Sequence, residues 1–233
     1  DPNYRVRAEL ANTIRSLRRV SPELIGLVAA LGKAPLRVND RRNYDRAFER
    51  YLARWAMEKH PKETAIFFDS AAASQLDSEQ QLLLVQTLPP ALAAKQLLKA
   101  SVNLDRRLEV SEIQVIVQQL GQAEVKAAFS EMLAHPKHGG AVLKTLAGLD
   151  AATRTNPELG ALVEASVRAG LAKGRSLEGT LPMVSAFRLK GLEPEVKQLL
   201  SSAKNSASEL AALTALQEIG STDTGIFKRF VAA

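Results

Sequence analysis

The sequence predicts an all-α fold, an α-solenoid of about seven irregular helical hairpins, on three observations. Apolar residues make up 46% of the chain and are dominated by Ala and Leu, whereas aromatic residues are only 5%. Ala and Leu lead the helix-propensity scale, while aromatic and β-branched residues lead in strands. One grammar recurs along the chain: a helical apolar stripe, a short break, then a second amphipathic segment. The breaks return at intervals of roughly 30 to 40 residues, the range of helical-hairpin repeats.

The first hairpin pairs RAELANTIRSLRRV with SPELIGLVAALG, the second AFERYLARWAMEKH with PKETAIFFDSAA, the third SEQQLLLVQTL with PPALAAKQLLKA. The fourth pairs SEIQVIVQQLG with QAEVKAAFSEMLA, and the fifth GGAVLKTLAGLD with a longer AATRTNPELGALVEASVRAG. LPMVSAFRLKG with LEPEVKQLLSSA, then SELAALTALQEIG with STDTGIFKRFVAA, complete the series. Pro22, Pro61, Pro89 and Pro90 lack an amide proton and push the preceding residue out of the helical region. Gly121, Gly191 and Gly220 can close a helix in the left-handed conformation. Ser21, Ser78, Ser111, Ser208 and Ser221 are the expected N-caps. Val6, Leu10, Ile14 and Leu17 follow the 3.6-residue period and form the first expected core stripe. Only IQVIVQQL, with its β-branched run, tempts a strand reading, and its place in the series makes it a helix. GKAPLRVNDRRN and AKGRSLEGT, rich in Gly, Pro and charge, read as inserted loops. No flexible linker divides the chain, so residues 1–233 read as a single domain.

The chain opens DPNYRVR without Met or a signal-like segment, and so reads as a processed chain or an excised piece of a longer protein. Without cysteine, disulfides, thiolate metal sites, cysteine nucleophiles and covalent c-type haem attachment are excluded from this piece. There is no apolar run long enough for a membrane span.

Charge is unevenly placed. Residues 1–60 hold 13 Lys/Arg against 7 Asp/Glu, and the remainder holds 18 against 18, so the whole excess of +6 sits in the first quarter. Such asymmetry marks a contact surface for something anionic. Within it, Arg42, Arg46, Arg50 and Arg54 recur every four residues. On a helix they drift about 40° per step and form one broad stripe. Two readings of this ladder stand. In one, Arg46 bonds Asp40 within the scaffold and the other arginines are solvated. In the other, the stripe grips carboxylate or phosphate with planar guanidinium forks. Arg15, Arg18 and Arg19, near the end of the first helix, either serve its negative dipole end or, with Arg41 and Arg42, extend a basic patch.

Other constellations read as structural. His135 and His138 lie in the loop HPKHGG with no acidic or thiol ligand at metal spacing. His60 precedes Pro61 at a helix end, where a cationic ring suits the dipole. Phe48, Tyr51 and Trp55 have the spacing of a core stripe. GLAKGRSLEGT lacks the order of a phosphate-cradling loop.

DPNYRVRAELANTIRSL resembles the second helix of a HEAT repeat, a family that places Asp at the inter-helix turn and Arg six residues on. Asp1 with Arg7, and Asp40 with Arg46, stand at that spacing. ELAALTALQEIGSTDTGIFKRFV is similar to the family's helix-ending pattern. The resemblance implies a right-handed α-solenoid of HEAT-like hairpins with these two structural pairs. YRVRAELANTI and YDRAFERYLARWAMEKHP also resemble the helical-repeat region of large secreted proteins of planctomycete type. Those proteins join a sorbosone-dehydrogenase-like propeller, a HEAT-like region and a c-type cytochrome domain. That likeness implies an extracytoplasmic location; without it the compartment defaults to the cytoplasm.

The expected function is therefore non-catalytic: an interaction, spacer or scaffold module with no cofactor, metal or small-molecule substrate. Its partner is a protein or a neighbouring domain of the same chain. The alternative is a nucleic acid, held by its phosphate backbone on the basic N-terminal surface. Binding residues on either reading are Arg15, Arg18, Arg19, Arg41, Arg42, Arg50 and Arg54. A HEAT-like base-excision glycosylase would need an acid among aromatic residues in a cleft, and no such cluster is present in the sequence.

Overall fold

A computed structural model describes residues 3–34, 36, 40, 42–172, 180–203 and 205–231. Among the described residues there are fifteen α-helices and no strand, as the Ala/Leu-rich composition predicts. Asp1, Arg41, residues 35 and 37–39 of the first expected inserted loop and 173–179 of the second lie outside the described residues. The chain divides into two compact units, Asp1–Arg106 and Arg107–Ala233.

The first unit contains α1 (Tyr4–Ser16), α2 (Pro22–Ala29), α3 (Arg42–Met57), α4 (Pro61–Phe67), α5 (Ser78–Val85) and α6 (Pro90–Ser101). Pro22, Pro61 and Pro90 each occupy a first helical position, where a missing amide proton costs nothing. α1 packs on α3 and α3 on α5, while α2 packs on α4 and α5 on α6. The core gathers Ala11 and Ile14 of α1, Ile25 and Val28 of α2, and Met57 and Phe67.

The expected α1 stripe is rotated. Ile14 is buried and Leu10 is partly buried, but Val6 is 49% and Leu17 38% exposed. The inward line is instead Arg7, Ala11 and Ile14, because Arg7 turns in to the α3 carboxylate of Glu49, with Nε 2.6 Å from Oε1. Leu17 falls beyond the helix, at its C-cap.

The second unit contains α7 (Val110–Val117), α8 (Ala123–Ala134), α9 (Gly139–Leu146), α10 (Ala151–Arg154), α11 (Pro157–Ala172), α12 (Leu181–Phe187), α13 (Glu193–Ser202), α14 (Ser206–Glu218) and α15 (Thr224–Val231). The β-branched run is helical, as α7. α8 packs against α9 and α11, and α14 against both α12 and α13. Phe129, Ile113, Ile116, Leu146 and Leu159 are fully enclosed. The long segment after residue 150 is two helices rather than one. Pro157 forces Asn156 out of the helical region, so α10 is a single turn capped by Asp150, whose Oδ1 accepts from the Thr153 amide at 2.8 Å.

Of the five serines expected as N-caps, Ser21 performs that role, accepting from the Leu24 amide. Ser78, Ser111 and Ser208 lie inside the first turn of their helices, and the cap is a residue further back. Asp77 caps α5 in a reciprocal box with Gln80, at 2.8 and 3.1 Å. Asn205 caps α14 through the Ser208 amide at 2.9 Å. Ser221 instead bonds the Glu193 carboxylate at 2.8 Å.

Of the three glycines expected to close helices, Gly220 takes a positive φ, 73°. It completes a Schellman closure of α14, with Ser221 N–H donating to Leu216 O and Gly220 N–H to Gln217 O. α12 ends in the same pattern, Leu189 N–H to Val184 O and Arg188 N–H to Ser185 O. Here the left-handed residue is Arg188, φ 50°, not the expected Gly191. A side chain in this region costs about 1 kcal/mol.

Candidate functional site

The ladder arginines begin on α3, a 16-residue helix whose inward face is made of small and flexible side chains: Ala53, Ala56 and Met57 are fully buried. These pack in the core with Ala11 and Ile14 of α1, so the two helices approach through small residues.

Three of the four arginines converge. Arg46, Arg50 and Arg54, with Tyr51, line a groove of about 360 Å³ whose other wall is Leu83 and Gln86. Each is already engaged. Arg46 Nη1 donates to Ala34 O at 2.5 Å. Arg50 Nη1 donates to Gly32 O at 2.7 Å, and its Nη2 reaches Glu79 Oε2 at 3.4 Å. Glu79 Oε1 also accepts from Arg106 Nε at 2.5 Å, so one carboxylate clamps two guanidinium groups. Arg54 lies over Tyr51, 5.8 Å from the ring centre, with Glu58 Oε1 3.5 Å from its Nε. That Nε is shielded from solvent and makes no hydrogen bond.

Arg42 stands at the exposed start of α3 and pairs with Asp40 through Nε at 3.0 Å and Nη2 at 2.7 Å. The scaffold reading assigned Asp40 to Arg46. The bidentate partner is Arg42, two residues away and with its own amide also donating to Asp40 Oδ1. Side-chain hydrogen bonds from Arg42, with its amide bond next, hold the Asp40 carboxyl at about 2, below its ordinary 3.8. A depressed carboxyl stabilises the fold above its unfolded pKa, and the contribution is lost as pH falls from 3.8 through about 2. A carboxyl-carbon NMR titration is therefore expected to place Asp40 near 2, and to return it toward 3.8 in Arg42→Gln. An ordinary midpoint in the wild type would refute the pairing.

Arg15 stacks on Trp55, its guanidinium 3.9 Å from the ring centre, and donates to Trp55 O. It thus ties the last turn of α1 to α3. Arg18 and Arg19 are exposed, but they follow the end of α1 at Ser16, so of the three only Arg15 meets the helix terminus. Arg7 bonds Glu49, and its expected partner Asp1 lies outside the described residues. His60 is buried, with Nε2 3.1 Å from Ile14 O. A carbonyl only accepts, so this nitrogen carries the proton. His135 and His138 face each other with ring centres 4.7 Å apart, and His135 Nδ1 lies 3.3 Å from the Lys137 amide. The His138 imidazole has a lowered pKa, from desolvation first and then from His135 and Lys137.

The expected aromatic core stripe of α3 faces outward. Tyr51 is 49% and Phe48 45% exposed, and Tyr44, one turn before Phe48, is 81% exposed. Trp55, part-buried under Arg15, ends the same line. Four aromatic side chains of a chain that has eleven thus run along one outer face, beside the guanidinium stripe.

Compared with known proteins, the chain matches no family model, no curated protein and no solved structure.

Sequence reasoning missed Glu79, the carboxylate that holds Arg50 and Arg106, and paired Glu49 with Arg46 of its own helix where the structure pairs it with Arg7. Their partners lie 27 to 42 residues away, so no local spacing signals them. The outward aromatic line did leave a signal: Tyr44, Phe48, Tyr51 and Trp55 are spaced 4, 3 and 4 apart, which sets them on one line of a helix. No described helix is long and apolar enough to cross a membrane.

Proposed function

We propose that the chain is a non-catalytic interaction module that receives an acidic, partly apolar protein segment on the outer face of α3. The observation that carries this is the run of exposed Tyr44, Phe48 and Tyr51, with the Arg54 guanidinium 5.8 Å from the Tyr51 ring centre. Tyr and Arg dominate the energetics of protein interfaces, because each combines large contact area with directional polar groups. Contiguous exposed aromatic surface is costly to leave bare in water. The module reading extends to the fold: within the first unit α1, α3 and α5 pack in series, with α2 on α4, which supports HEAT-like hairpins stacked as a solenoid.

A second reading draws on the same face. Rings flanked by guanidinium groups stack bases and pair phosphates, as in single-strand binders. The protein reading is preferred because Asp40, Glu79 and Glu58 already sit against Arg42, Arg50 and Arg54, so apolar contact with the exposed rings outweighs charge, which suits a partly apolar segment better than a uniformly charged phosphate backbone.

Fluorescence anisotropy separates the two. A labelled acidic peptide bearing Leu and Phe is expected to bind, and Tyr44→Ala with Phe48→Ala to weaken it at least about tenfold at unchanged Tm. Steeply salt-dependent binding of oligothymidylate, with none of the peptide, would replace the protein partner by nucleic acid. Binding of neither at high micromolar protein would remove both readings.

A further inference from the structure

In the second unit an open groove of about 800 Å³ is bounded by the α10–α11 junction, α12 and the later turns of α14. Its floor is apolar and small-chained, including Ala151, Pro157, Gly160, Pro182 and Ala186. Arg154 and Arg188 line it, against a single carboxylate, Glu218. Among the described residues neither guanidinium has an ion-pair partner.

Each arginine carries a cost that the fold does not require. Arg154 Nε is shut off from solvent without a hydrogen-bond acceptor, a donor that has lost its hydration and gained nothing. Arg188 holds the left-handed position that closes α12, where glycine would be free of strain. A cation does favour a helix C-terminus, but it need not sit on the left-handed residue to do so. The α11 N-terminus contributes little, since Asn156 Oδ1 already accepts from the Glu158 and Leu159 amides. Arg54 Nε is unsatisfied too, but among the described residues in this groove alone does a shielded donor lie beside a cation held in a strained backbone conformation, and strained residues cluster where a ligand is held.

We propose that this groove binds a small ligand bearing an oxyanion, phosphate or carboxylate. The charged end lies between Arg154 and Arg188, and the body rests on the Ala151–Pro157–Pro182 floor. The groove's size is that of small-molecule sites, and paired guanidinium forks match either oxyanion. The site does not depend on the reading of α3.

Thermal shift and calorimetric titration with pyrophosphate, citrate and neutral glucose, at constant ionic strength, test it. Pyrophosphate or citrate is expected to raise Tm by about 2 °C or more at millimolar concentration, glucose not at all. The stronger of the two probes assigns the oxyanion as phosphate or carboxylate. Arg154→Gln and Arg188→Gln are each expected to weaken binding by about tenfold, whereas Arg54→Gln leaves it intact. Arg188→Gly supplies the decisive combination: a ligand-free Tm higher by about 1–4 °C, with the ligand-induced shift lost. The proposal falls if no anion shifts the wild-type Tm. It also falls if the shift survives in the Arg154→Gln, Arg188→Gln double variant, or if Arg188→Gly is no more stable than wild type.

Discussion

Phe129→Ala is expected to destabilise the second unit by about 3–5 kcal/mol, read as a lower midpoint in urea at unchanged slope. Phe129 is fully enclosed on α8, the helix that packs against both α9 and α11. Its ring is one of very few in a core otherwise built from Ala, Leu, Ile, Val and Met. Packed helices relax only partly into the space a fully enclosed ring leaves, so the cavity term adds to the transfer term. Since a domain's whole stability is about 5–15 kcal/mol, the variant lies near the edge of folding; Phe129→Leu, at about 1 kcal/mol, gives the graded measurement. A loss under about 1 kcal/mol for the alanine variant would show that α8 is not seated as described.

Gly139→Ala is expected to cost about 2–3 kcal/mol and lower Tm by roughly 5–10 °C, while Gly191→Ala costs under about 1 kcal/mol. The two make a controlled comparison, because an added Cβ would meet an atom at 2.1 Å in each case. At Gly139 that atom is the carbonyl oxygen of Leu133, with its carbon at 2.9 Å, so the end of α8 and the start of α9 would have to separate. At Gly191 it is Oε1 of Glu164, the tip of a flexible side chain. Glu164 can swing away, giving up little more than its exposed pair with Arg168 at 3.0 Å. Equal losses in the two variants would refute the argument from backbone contact.

The helices were legible because their boundaries are written locally. Pro22, Pro61 and Pro90 start helices by the geometry of their own rings, and that information needs no tertiary contact; the same signal at Pro157 goes unused where α10 and α11 read as one segment. Which side of α3 faces inward was not legible. The helix has two apolar lines, one of Ala53, Ala56 and Met57 and one aromatic, and hydrophobicity alone favours burying the aromatic one. Close approach of α1 through Ala11 reverses the choice, since small residues let helices come near and large rings do not fit between them. The ladder was visible as a spacing, but its pairing was not. Glu79 meets Arg50 across 29 residues and Glu49 meets Arg7 across 42, distances that only the packed structure closes. Arg188 in a left-handed turn was hidden for a related reason: local preference points to Gly191, and the register of α12 decides otherwise.

The stacking of Arg15 on Trp55 has a practical consequence for spectroscopy. Trp55 is the chain's one indole, and it belongs to the Asp1–Arg106 unit. Emission excited selectively from it reports the melting of that unit alone, whereas far-ultraviolet ellipticity sums the helices of both. Overlaying the two traces tells directly whether the halves of the chain come apart in concert or one after the other.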